Sequence, residues 1–410
     1  MPMKSYISYS SESHFPIENL PYGVFSTADN STHRIGVAIG DKILDLKYSK
    51  NVFDHPLYEV FQQPSLQSLM ASSKNTWSQA RKSIQSYLSI ENSENLNNGV
   101  FWNQNEVEMH LPTTIGNFTD FFSSYYHAYN CGSLFAPDKP IADNWKNMPI
   151  AYHSRSSSIR ISGTPVVRPN GQYLKDGQVK FGPTEMLDYE LEVAFFVGGS
   201  LNSLGEPIPI NKACDHIFGM VLLNDWSARD TQKWESYFLG PFLSKNCITT
   251  ISPWIVTMEA LEEFKTDNFK QDPTPLKYLL HDIKYNFDIN LNASVRGQKS
   301  QLTHSICNTN YKYMYWTPLQ QIAHHTINGC NLQPGDLLSS GTVSGPEEEQ
   351  CACLTERTRG GKIFVDLGER KLKFFEDGDE VTLSGFCQGN GYRVGFGNCS
   401  SQILPAKNLA

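Results

Sequence analysis

Residues 187–198 read Leu-Asp-Tyr-Glu-Leu-Glu-Val-Ala-Phe-Phe-Val-Gly, an apolar and aromatic run that closes on glycine. Such a composition predicts a strand. Side chains alternate along a strand, so Tyr189, Leu191 and Val193 face one way. Glu190 and Glu192 then share the other face, about 6.5–7 Å apart. Two carboxylates held that close repel unless something cationic lies between them. They mark either a solvated acidic strand face or a site for a hard divalent cation. Carboxylates without Cys or His favour Mg²⁺ or Ca²⁺.

Working outward, the same pattern recurs. His216–Asp225 (HIFGMVLLND), Gly335–Thr342 (GDLLSSGT), Asp377–Gly385 (DGDEVTLSG) and Tyr392–Gly397 (YRVGFG) all read as strands bounded by turn residues. Helical stretches are few and short: Thr119–Asn130 (TDFFSSYYHAYN) and Ser227–Ser236 (SARDTQKWES). The fold class expected is mixed and β-rich, without regular βαβ units. Residues 1–110 read as a small first unit and 111–410 as a large second one. In the first, His33–Leu46 (HRIGVAIGDKILDL) predicts a hairpin turning at Gly40-Asp41. Its helix places Trp77, Ala80, Ile84 and Leu88 on one face. The polar stretch 92–99 reads as a linker, and 255–280 as an exposed excursion.

Composition excludes several function classes. Lys and Arg number 34 against 42 Asp and Glu, a net charge of −8. That balance argues against nucleic-acid or anionic-membrane partners and leaves a small-molecule substrate. No apolar run approaches the roughly 18 residues a membrane span needs. The opening MPMKSYISYSSESHFP lacks the apolar core of a leader peptide. Nine cysteines scattered from Cys131 to Cys399 suit reduced thiols, and Cys351 and Cys353 lack CxxC spacing. The location expected is the cytosol.

Further residues join the acidic pair as candidates. Asp225 ends an apolar strand, where it either caps the next helix or enters a site built by loops. Arg229 and Gln232, three apart on a helix, share a face suited to a developing anion. Lys245 emerges from an apolar loop as a possible electrophilic donor. Read as one helix, 119–130 puts Asp120 and His127 on a common face, with His127 a candidate general base. A solvated helix face and a structural histidine are the competing readings.

Longer blocks carry a resemblance. Asn19–Thr27 (NLPYGVFST), Leu187–Glu192 (LDYELE), Asn224–Asp230 (NDWSARD), Gln232–Glu235 (QKWE), Lys312–Thr317 (KYMYWT) and Ser340–Pro346 (SGTVSGP) make the whole chain similar to the fumarylacetoacetase family. The resemblance implies an N-terminal SH3-like β-barrel, a large C-terminal mixed β-roll domain and a homodimer. It implies Mg²⁺ or Ca²⁺ held by Asp120, Glu190, Glu192 and Asp225, with Lys245 and Thr249 beside the ion. It makes His127 the base and Glu356 its partner, with Arg229, Gln232 and Lys245 stabilising oxyanions. Tyr152 and Thr342, with Arg229 and Gln232, match substrate-contacting positions. Phe122, Ala136 and Ser236 depart from the family pattern, replacing a tyrosine, an arginine and a tyrosine that contact substrate. The activity implied is hydrolysis of a C–C bond in 4-fumarylacetoacetate, the last step of tyrosine and phenylalanine breakdown. The alternatives are hydration or decarboxylation of an enol diacid, or a binding protein that keeps the fold with impaired turnover.

Overall fold

The computed structural model describes residues 3–54 and 57–408. Strands β1 (Tyr22–Thr27), β2 (Asn30–Ile39) and β3 (Lys42–Asp45) form an antiparallel meander, and β2 and β3 meet in the expected two-residue turn. Gly40 sits there at φ +58°, a conformation a side chain would strain. Helix α1 (Lys74–Leu88) is capped by Ser73, whose side chain accepts from the Thr76 N–H. It buries Ala80, Ile84 and Leu88, with Trp77 packed alongside. Strands β4 (Phe101–Asn103) and β5 (Val107–His110) complete a curled sheet in the order β4-β3-β2-β1-β5. The polar stretch 92–99 largely lies in a 3₁₀ run, Ile90–Asn97. It joins α1 to β4 inside this unit and is not the connection between units.

The second unit begins with β6 (Phe118–Phe121), α2 (Tyr125–Phe135), β7 (Ala151–Ser154) and β8 (Ile159–Ile161). Strands β9 (Leu191–Val197) and β10 (Ile217–Asp225) follow, then α3 (Arg229–Glu235), α4 (Leu243–Asn246) and β11 (Thr249–Ile251). Further along come β12 (Asn290–Arg296), β13 (Thr303–Asn310), β14 (Leu337–Ser339), α5 (Leu354–Arg357), β15 (Glu380–Gln388) and β16 (Arg393–Leu404). The central sheet runs β7-β6-β14-β9-β10-β11-β8, mixed because β14 lies parallel to β6 and β11 to β8. A second sheet, β13-β12-β15-β16, packs against it.

Alternation along β9 explains the layering. Leu191, Val193 and Phe195 face the second sheet, with Met220 and Leu222 of β10 beside them. Ala194 and Phe196 face the other way, with Val221 and Leu223, and pack on the N-terminal unit. A backbone bridge reinforces that contact: Tyr22 and Ile255 exchange N–H···O bonds of 3.0 and 2.8 Å. The central sheet is thus buried on both faces.

Three further expectations need correction. Residues 119–130 are not one helix, because β6 holds Asp120 and α2 holds His127. Ser124 divides them by capping α2, its hydroxyl accepting from the His127 N–H at 3.2 Å. Glu190 falls between the short strand Leu187–Asp188 and β9, outside the regular alternation. Segment 255–280 is anchored, since Leu261, Phe264 and Leu279 are buried. All nine cysteines are free. Among the described residues no helix is long and apolar enough to cross a membrane.

Candidate active site

The strand ends bring the acidic residues together. Asp120 lies late in β6, Glu192 early in β9 and Asp225 last in β10, all at one end of the sheet. One oxygen from each of Asp120, Glu190, Glu192 and Asp225 lies within 4.8 Å of the others, and all four residues are buried. Tyr152 of β7 stands opposite Asp120 across the strand pair. Its phenol donates to Asp120 Oδ2 at 2.7 Å and Asp225 Oδ2 at 3.0 Å. Thr249, first in β11, donates to Asp225 Oδ1 at 3.3 Å. Ser339 at the end of β14 donates to Glu192 Oε2.

Two cations border the cluster. Lys245 Nζ, on α4, contacts Glu190 Oε2 and lies 2.6 Å from Asp225 Oδ2. Arg229, first in α3, places Nη1 2.8 Å from Glu190 Oε1 and donates from Nε to Asp188 Oδ2 at 2.8 Å. Its Nη1 also donates to Gln232 Oε1 at 3.0 Å, the i, i+3 pairing expected. Burial pushes Glu190 up, but Lys245 and Arg229 outweigh it and hold the carboxyl well below its ordinary range. Burial raises Asp120 well above its usual value, with Asp225 adding to the effect. Glu192 is raised in the same way by burial, Asp120 and Glu190. Asp225 is raised by burial despite Lys245. Burial lowers Lys245, but Asp225 and Glu190 reverse this and keep its ammonium charged.

The donor set fits a hard divalent cation. Four carboxylates face two cations, and Asp188 takes part of one of them. Asp120 Oδ1 and Glu192 Oε1 are buried without any hydrogen-bond partner. Such orphaned oxygens are costly unless an ion or protons satisfy them. Carboxylate oxygens alone select Mg²⁺ or Ca²⁺ over softer metals.

Next to the cluster, His127 Nδ1 lies 2.7 Å from Glu356 Oε2 of α5, a buried contact. Asn130 donates to Glu356 Oε1 at 2.8 Å, and Ser344 to Oε2 at 2.8 Å. Burial opposes protonation of His127, yet Cys131 and Glu356 raise it well above its ordinary value. Burial pushes Glu356 up, but His127 and the donors around it bring it below the usual range. Thr342 Oγ1 and Arg229 Nη2 are buried donors without partners.

Sequence reasoning missed Asp188, which accepts from Arg229 and from the Leu354 and Thr355 N–H groups at 2.7 and 2.9 Å. It ties the arginine helix to the helix bearing Glu356. Asn130 was also missed, although it follows His127 by three residues on one helix. Ser339 and Ser344 carried no local signal. Of the three departures, Phe122 sets its ring edge-on to His127 at 5.1 Å. Ser236 is half-buried, with a buried hydroxyl that has no partner. Ala136 lies exposed at the end of α2. Tyr237 is 78% exposed and packs on Phe238, so it stands outside this constellation.

Family models described as fumarylacetoacetase N-terminal and fumarylacetoacetate hydrolase C-terminal match residues 18–112 and 118–404. The chain belongs to the fumarylacetoacetate hydrolase family. It is 51% identical to the fumarylacetoacetase of Bos taurus over 99% of this chain and 100% of the relative. For the human fumarylacetoacetase the identity is 51%, over 98% and 99%. The Arabidopsis thaliana fumarylacetoacetase is 48% identical over 98% and 99%. A solved structure of fumarylacetoacetate hydrolase from Exiguobacterium antarcticum aligns over 95% of this chain and 100% of its own, with a TM-score of 0.53. At 18% identity that likeness speaks for the family's fold.

Proposed function

We propose that the chain hydrolyses 4-fumarylacetoacetate to fumarate and acetoacetate, in tyrosine and phenylalanine breakdown. The observation that carries this reading is the His127–Glu356 pair set beside a buried four-carboxylate cluster. Hydration or decarboxylation of an enol diacid would need the carboxylates but not this pair. The full-length similarity to fumarylacetoacetases of animals and plants supports the same substrate. Intact base and oxyanion residues speak against a binding protein that has lost turnover.

Asp120, Glu190, Glu192 and Asp225 would hold Mg²⁺ or Ca²⁺, with Thr249 and Lys245 alongside. When bound, that cation supplies Lewis-acid polarisation of the carbonyl under attack. Glu356 holds the His127 ring by Nδ1, leaving Nε2 to take a proton from water. The unpartnered Nη2 of Arg229, with Gln232 and Lys245, meets the negative charge that develops on oxygen. Tyr152 and Thr342 bind the substrate, Thr342 through a hydroxyl no protein group occupies. Residues 1–110 serve as the supporting domain and 111–410 as the catalytic one, in a cytosolic homodimer. The exposed apolar strap of Tyr237, Phe238, Leu239 and Phe242 supports a protein partner there.

The test follows the ultraviolet absorbance of fumarylacetoacetate with purified protein. Turnover is expected with Mg²⁺ or Ca²⁺, loss on exhaustive chelation, and recovery when either ion returns. Folded, metal-loaded protein that leaves the substrate intact overturns the reading. Undiminished turnover after chelation sinks the metal assignment alone. Light scattering should give twice the chain mass.

A further inference from the structure

Cysteines surround the His127–Glu356 pair, and the mechanism above uses none of them. Cys131 follows His127 by one turn of α2, its Sγ 3.7 Å from Nδ1 and 3.8 Å from Nε2. Cys353 immediately precedes α5, its Sγ 3.2 Å from Glu356 Oε2. Donor atoms of His127, Cys353 and Glu356 lie within 4.8 Å of one another, and all three residues are buried. Cys131 is only partly buried, which leaves a route for an ion.

We propose that His127, Cys353 and Glu356, completed by Cys131, form a second metal site that takes a borderline-soft divalent cation such as Zn²⁺ and switches off hydrolysis. Ligands at the bond lengths of a tetrahedral zinc ion stand roughly 3.3–3.8 Å apart. The Cys131–His127 and Cys353–Glu356 separations, 3.2 to 3.8 Å, already approach that spacing. The 2.7 Å His127–Glu356 contact must open, as the ion replaces the proton between them, and Cys131, close to His127 but outside the three-residue group, must turn in to complete the site. Thiolate and imidazole select zinc, whereas the neighbouring all-carboxylate cluster selects Mg²⁺ or Ca²⁺. The two sites therefore discriminate by ligand softness.

Binding releases the two thiol protons to solvent. The His127 ring stays neutral, with Nδ1 on the ion and its proton moved to Nε2. A protonated Nε2 accepts nothing from water, so the base is lost without any change at the carboxylates. A sulfur that served packing alone would leave no such metal response.

The binding half stands on geometry; only the inhibition rests on the proposed hydrolysis. Full-length protein saturated with Mg²⁺ is titrated with Cd²⁺ for thiolate-to-metal ultraviolet absorbance, and with Zn²⁺ for turnover. One equivalent per chain is expected to build the absorbance, and Zn²⁺ to abolish turnover. Cys131→Ser and Cys353→Ser should keep Mg²⁺-supported turnover, lose the absorbance and need tenfold or more Zn²⁺ for inhibition. His127→Ala, a third variant, should weaken the Cd²⁺ absorbance even if a serine variant fails to fold. Absence of the absorbance, or its persistence unchanged in the folded variants, overturns the site. Zinc inhibition that ignores both cysteines places the ion on the carboxylates and overturns it equally. A parent without hydrolysis would leave the absorbance arm to decide.

Discussion

Asp120 and Glu192 each bury an oxygen that nothing in the protein satisfies, a cost that a bound cation or a proton on the carboxyl removes. Glu192→Ala therefore has opposite effects on two readouts. Without metal, removing a buried carboxylate that keeps one oxygen unsatisfied and holds only the Ser339 hydroxyl on the other should leave the thermal midpoint unchanged or higher. With metal, affinity for Mg²⁺ or Ca²⁺ and turnover should fall together, and an unaltered metal titration would count against Glu192 as a ligand. His127→Ala should keep fold and metal content while turnover drops by a factor on the order of 10² or more. Glu356 raises the His127 pKa after burial has lowered it. The base must be neutral, so kcat/KM rises as pH climbs through the folded value of His127. Glu356→Gln removes the raising charge, which should move that rising limb to lower pH while the plateau falls. A limb that stays in place in this variant rules out the pairing as its cause. Linkage runs the other way for the carboxylate. The folded pKa of Glu356 is lowered, so its stabilisation is present above the ordinary glutamate value and fades as pH drops through the folded one.

Elements position these residues with different degrees of legibility. Strands 191–197 and 217–225 were readable as near-continuous apolar runs because both faces are buried. The break at Ser123-Ser124 was not, since Phe121, Phe122, Tyr125 and Tyr126 satisfy strand and helix periods alike. The acidic cluster was accordingly visible as residues, while the strand carrying Asp120 was mistaken for helix. Long-range ties leave no local mark at all. Asp188 sits beside the acidic pair in sequence, yet its role depends on α5, more than 160 residues away. It joins the start of α3 to the start of α5, and so sets Arg229 and Glu356 relative to each other. Asp188→Asn keeps the shape but loses the charge facing four donors, Arg229 and the Tyr189, Leu354 and Thr355 N–H groups. Arg229 retains Glu190, so the cost should lie near the low end for a broken buried pair, about 3 kcal/mol. Denaturant midpoints would show it, and turnover should fall in step. An asparagine variant with both unchanged would mean that the two helices are held by packing instead.

For the whole molecule, the central sheet has no solvent-facing side to spare. Its inner face packs on the second sheet, and its outer face meets the N-terminal unit through Phe118, Phe196, Phe218, Val221, Leu223, Ile251 and Leu337. The first unit carries no member of the site, and its sequence marked it as a small separate unit without showing what it supports. The reason is that a hydrophobic face has the same pattern whether it covers its own domain or a neighbour. Phe196 and Phe218 lie on the face opposite Phe195 and Met220, so a strand that is apolar throughout already requires two covers. Burying each of these side chains contributes roughly 1.5–3 kcal/mol. Seven of them together reach on the order of 10 kcal/mol, comparable with the whole stability of an ordinary domain at about 5–15 kcal/mol. A chain shortened to residues 113–410 should therefore fail to accumulate as soluble, metal-binding protein, although every candidate site residue is still present. Expression followed by gel filtration and a metal titration measures this directly. A truncated chain that elutes folded and binds Mg²⁺ at the parent affinity would show the inner core sufficient on its own, and would reduce the N-terminal unit to an appendage.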